Sequence, residues 1–127
     1  AKVMDCIAIS APTVGQLAAL FGLERLAGWR EGKRAMMAER LAAVRAQFGR
    51  NDVPFRIVAA GAYFAYVEHA FAGRSSAEVA QRLAREFGLL TMPGPMFGPG
   101  QEGTLRFAFA NVDDMGEIAE RLAASRE

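Results

Sequence analysis

Thr104-Leu105-Arg106-Phe107-Ala108-Phe109-Ala110-Asn111 is the stretch whose reading decides the fold. Leu105, Phe107 and Phe109 alternate with Thr104, Arg106 and Ala108, so the segment reads as a β-strand with one bulky apolar face. The other face carries a single guanidinium between two small side chains. A planar fork with room beside it suits a carboxylate or phosphate held by two parallel hydrogen bonds. The same arginine also fits a structural role, paired with a neighbouring Asp or Glu or snorkelling to water. From the strand alone both readings stand.

Working back from this strand, Pro93-Gly94-Pro95-Met96-Phe97-Gly98-Pro99-Gly100 is a loop stiffened by prolines and turned by glycines. Leu89 to Met92 is short and apolar and is expected to form an edge strand. Ser75-Ser76-Ala77-Glu78 has the pattern of a capping box, and the helix it opens should bury Val79, Leu83, Ala84 and Phe87 and stop at Gly88. Phe55 to Ala59 and Ala62 to Glu68 read as two strands separated by Gly61, the second apolar on both faces as a central strand would be. Met37, Leu41, Val44 and Phe48 are spaced for one face of a long helix that ends at Gly49. Pro12 favours a helix start ahead of Gln16, Leu17, Leu20 and Phe21, with Gly22 and Gly28 as weak interruptions. Val3 to Ile9 is expected to be extended. Beyond Arg106, a last helix beginning near Asp113 should turn Met115, Ile118, Ala119 and Leu122 inward. The architecture this predicts is α/β in the broad sense (α+β): a small mixed β-sheet with helices packed on it.

The 127 residues suffice for one hydrophobic core, and 52% apolar with 23% charged content argues against disorder. Thirteen arginines face two lysines, but ten Glu and four Asp bring the net charge to +1, so no nucleic-acid footprint is expected. Cys6 is the one cysteine, which excludes a disulfide framework or cysteine zinc site and points to a reducing, cytoplasmic setting. No apolar stretch reaches the roughly 18 residues of a membrane span, so no membrane partner is expected. Ala1-Lys2 runs directly into an apolar element, as expected of a chain cut from something longer or of one that has lost a leader.

Familiar catalytic constellations are missing. His69 is the only histidine and has no triad or metal spacing around it, so a strand-end histidine is expected and no metal site. Asp113-Asp114 reads as helix capping. The 93–100 loop precedes a strand rather than a helix and matches no phosphate-binding glycine pattern. Arg30, Lys33 and Arg34 read as a solvated helix face.

Gly61-Ala62-Tyr63-Phe64, Arg82-Leu83-Ala84-Arg85-Glu86-Phe87-Gly88, Pro93-Gly94 with Phe97-Gly98, and Leu105 to Asn111 stand in a fixed order. So ordered, they resemble the C-terminal part of class I/II, aspartate-aminotransferase-like enzymes of the fold-type I pyridoxal-phosphate family. Asp5 to Pro12 with Gln16 resembles the segment that follows the cofactor lysine in those enzymes. The resemblance implies that residues 1–25 are the end of a large domain and 26–127 the small domain. It implies a parent transaminase, a homodimer that passes an amino group from an amino acid to pyridoxal 5'-phosphate and on to a 2-oxo acid. Arg106 matches the arginine that grips the substrate α-carboxylate, and Gly61, Tyr63, Phe64 and Phe97 match segments lining the substrate side. Neither Lys2 nor Lys33 stands in the context of the Schiff-base lysine. The resemblance therefore implies a fragment with no catalytic residue and no cofactor of its own, inactive alone. The alternative is a free-standing small-anion-binding or dimerisation module with no catalysis.

Overall fold

The computed structural model of the chain describes residues 11–126, and the extended segment expected at Val3 to Ile9, with Lys2 and Cys6, lies outside them. The chain divides into two compact units, residues 1–35 and 36–127.

In the first unit, helix α1 (Thr13–Arg25) follows Pro12, whose carbonyl accepts from the Gln16 amide at 3.1 Å. Apolar side chains lie on every side of α1, and none of its residues is buried. Gly22 is accommodated inside α1 and Gly28 inside α2 (Ala27–Phe48); the break between them falls at Leu26, whose N–H donates to the Gly22 carbonyl. Arg30, Lys33 and Arg34 are exposed, with Arg34 bonded to Glu31 on its own helix.

The second unit is built on a four-stranded sheet: β1 (Phe55–Gly61), β2 (Phe64–His69), β3 (Met92–Pro93) and β4 (Thr104–Ala108), in the order β1-β2-β4-β3. The α+β class is as expected, but all three pairings are antiparallel, so the sheet is not mixed. Two of the three joins show why. The β1–β2 connection is a tight hairpin, and the 3₁₀ turn and loop between β3 and β4 hold no crossover helix, which a parallel pair would need. β2 is central, as its apolar composition predicts. β3 lies on the edge but is shorter than the Leu89–Met92 run and shifted along it. Pro93 is tolerated there because an edge strand has one side free of ladder donors.

Strand alternation sorts the two faces. Phe55, Ala65, Val67, Leu105 and Phe107 point into the core, where they meet Val44 and Phe48 of α2, Val79 and Leu83 of α3 (Ser76–Phe87), and Met115, Ala119 and Leu122 of α4 (Met115–Ala124). Phe107 meets Phe48 and Phe55 edge-on, with ring centroids 5.5 and 5.7 Å away. Phe109, just past β4, is buried as its alternation predicts. Ala84 is exposed, contrary to the expected face of α3, and Ala80, one turn earlier, is buried in its place. The capping box at Ser75 is formed, and Gly88 ends α3 in the left-handed region at φ 66°. Asp114 caps α4 by accepting from the amides of Gly116 and Glu117. No described helix is long and apolar enough to cross a membrane.

Candidate anion-binding site

Arg106 lies mid-β4 on the sheet face opposite the core. Its cross-strand partners are Tyr66 on β2 and Met92 on β3. The period of two along β2 puts Phe64 on this face with Tyr66, and along β4 puts Thr104 there with Arg106. A 3₁₀ turn, Gly94–Phe97, follows β3 directly and carries Phe97 over the same face. The guanidinium carbon sits 4.2 Å from the Phe64 ring centroid and 4.4 Å from that of Phe97, so an aromatic ring approaches it on each side. Its Nη2 donates to the thioether sulfur of Met92 at 3.0 Å, a weak acceptor.

Arginines that do pair make the contrast. Arg40 binds Asp113, Arg50 binds Asp52 and Glu120, Arg56 binds Glu68, Arg82 binds Glu86 and Arg121 binds Glu117. Arg106 has no carboxylate among the described residues. The ion pair with a neighbouring Asp or Glu, left open by the sequence, is therefore not formed there. A half-buried cation whose one hydrogen bond among the described residues goes to sulfur has its other donors open to a ligand. A carboxylate lying in the guanidinium plane is the ligand such a fork is built to take.

The structure brings Phe64 and Phe97 each against the Arg106 guanidinium. Tyr63 stands one step further out, its ring 6.4 Å from Phe64 and more than half exposed. Gly61 pairs with Phe64 across the hairpin and supplies no side chain to the group. Two residues that meet Arg106 were not marked as site residues by the sequence: Met92 and Tyr66. Met92 and Tyr66 become visible only once the strand order is known, because each meets Arg106 through sheet pairing.

A wider hollow of about 990 Å³ opens elsewhere, between the end of α2, the start of β1 and the end of β2. Its Arg50 and Arg56 are tied to carboxylates, and Arg45 and Arg126 line it as well. His69 lines it at the end of β2, and both ring nitrogens are buried without a partner. Among the described residues no group of His, Cys, Asp and Glu could hold a metal ion.

No protein-family model and no curated protein matches the chain. Solved structures do. An aminotransferase from Mycobacterium tuberculosis superposes with a TM-score of 0.79 over 97% of this chain at 20% identity. An aminotransferase from Staphylococcus aureus gives 0.72 over 84% at 28% identity. A Methanococcus jannaschii protein described as similar in its active site to kynurenine aminotransferases gives 0.68 over 95% at 26%. The fold is that of an aminotransferase C-terminal domain. The chain spans 33%, 28% and 31% of the length of these three aminotransferase-like structures. The resemblance carried by the ordered sequence landmarks is thus met by the fold.

Pyridoxal phosphate, implied by that resemblance, does not fit the described residues. Lys33 is the one lysine among them, and it is exposed, with Nζ 5.8 Å over the Trp29 ring rather than in an enclosed turn. A Schiff base needs a desolvated lysine beside a phosphate cradle.

Proposed function

We propose that the chain is the C-terminal part of a pyridoxal-phosphate-dependent aminotransferase, in which Arg106 holds the α-carboxylate of the amino acid or 2-oxo acid. The observation that carries this reading is an arginine set between Phe64 and Phe97 with no carboxylate partner among the described residues. Phe97, Phe64 and Tyr63 would border the bound substrate, and Gly61 would set the hairpin that presents Phe64. In the parent, the cofactor, held by residues outside the described ones, would supply carbanion stabilisation, and Arg106 would orient the substrate by gripping its carboxylate end. Alone, the part is inactive. The same reading carries a homodimeric parent, and the lone cysteine favours the cytoplasm.

The test is Arg106→Lys in the intact parent. A point charge replaces a two-pronged donor, so kcat/KM for the amino acid should fall about ten- to a hundredfold. Unchanged kinetics would show that Arg106 does not touch substrate.

A further inference from the structure

The two rings around Arg106 have different supports. Phe64 belongs to β2 and is fixed by the sheet, whereas Phe97 closes a four-residue 3₁₀ turn in a loop. Something must hold that turn against the sheet, and a cluster of polar groups lies where it touches. Tyr66 Oη donates to Gln101 Oε1 at 3.0 Å. Thr104 Oγ1 has two acceptors at 2.8 Å, Tyr66 Oη and the Gln101 carbonyl. The Thr104 amide donates to that same carbonyl at 3.1 Å. The turn itself presses on the cluster at Gly94: a Cβ added there would come 2.1 Å from Thr104 Oγ1 and 2.2 Å from the Gln101 carbonyl oxygen. The Tyr66 ring in turn meets Phe97 edge-on, with centroids 6.2 Å apart.

We propose that Tyr66, Gln101 and Thr104 are positioning residues for the anion site: their hydrogen bonds tie the Gln101 loop to the sheet, and the 94–97 turn, packed on that cluster at Gly94 and through the Tyr66 ring, is thereby latched so that Phe97 stays over Arg106. The inference rests on the carboxylate reading of Arg106. With Phe97 latched, the fork keeps one orientation, in which it can meet a carboxylate by two parallel hydrogen bonds. With the latch broken, Phe97 moves off, the fork tilts, and affinity falls.

Two NMR readouts of the 127-residue chain separate the latch from the carboxylate reading. The first is the Arg106 Nε–H shift, which the currents of the two flanking rings displace whether or not ligand is present. The second is titration with benzoate, a planar carboxylate, and with inorganic phosphate. The unsubstituted chain should bind benzoate, and phosphate serves as the comparison anion for the same fork. Tyr66→Phe keeps the ring edge against Phe97 and removes only the hydroxyl. It should move the Nε–H signal toward its unshifted position and weaken benzoate about two- to tenfold, the range expected when the hydrogen bonds of one hydroxyl are lost. Thr104→Val should do the same, and Thr104→Ser should restore both readouts. Should Tyr66→Phe fail to fold, the Thr104 pair carries the test. Unchanged shift and unchanged benzoate affinity in Tyr66→Phe and Thr104→Val would overturn the latch. A shift that moves in both variants, with benzoate bound by none of the proteins, would support the latch and remove the carboxylate reading.

Discussion

A methyl group at Gly94 has nowhere to go. The atoms it would strike are the backbone carbonyl of Gln101 and the Oγ1 of Thr104, and neither is the free end of a flexible side chain. The need for glycine here is close approach, since Gly94 is not among the positive-φ residues. Gly94→Ala should destabilise the chain by about 1–3 kcal/mol, the usual range for forcing an added methylene into a packed site. Urea denaturation checks this, with Gly61→Ala as the control, because nothing lies within 4 Å of a Cβ built at Gly61. Equal losses for the two variants would refute the argument. The sequence marks Gly94 only as a loop glycine; what makes it obligatory is a contact with residues seven and ten positions later. Arg106 was legible for the opposite reason, because alternation along its own strand already shows it alone between small neighbours.

Among the elements, those legible in the sequence are those whose signal is local. Ser75 and Glu78 announce the start of α3, and the structure shows both halves of the box: Ser75 Oγ accepts from the Glu78 amide, and Glu78 Oε2 accepts from the Ser75 amide at 2.8 Å. Ser75→Ala should cost about 0.5–2 kcal/mol and Ser75→Asp much less, read as shifts in the thermal midpoint. A Ser75→Ala protein as stable as the parent would show that tertiary packing alone sets this helix start. β3 was misplaced because its fate is decided by neighbours. The Leu89 amide donates to the Leu83 carbonyl to finish α3, burying Leu89 in the core, while Leu90 is left 89% exposed, so only Met92 and Pro93 remain to pair with β4. A short apolar run cannot reveal that division. α1 was legible as a helix but not as to its facing, since its apolar residues mark no single side.

For the whole molecule, acid is the condition that tests how the unit is held. Burial around His69 disfavours its imidazolium and lowers its pKa, with Glu68 opposing more weakly. The unfolded chain therefore takes up a proton at a higher pH than the folded one. Stability is fully present above the ordinary histidine value of about 6.5 and is lost as pH falls below it. Urea midpoints should decline between pH 7 and 5, and His69→Phe should flatten that decline; an equal slope in the variant would remove His69 as the cause. Strand order is the whole-molecule property that the sequence withheld, because pairing between distant strands leaves no local mark, and the position of the aromatic rings around Arg106 was withheld with it. That order has a kinetic consequence. Tyr66 and Thr104 meet across 38 positions of chain, and Met92 joins the same face only when β4 has docked. Closing so long a segment before any contact rewards it is slow, and it places the guanidinium pocket among the non-local structure of the folding reaction. A partly folded chain with α3 and α4 in place would hold no such pocket, so the grip on an anion would arrive with the last closure of the sheet and be lost with the first strand to leave it.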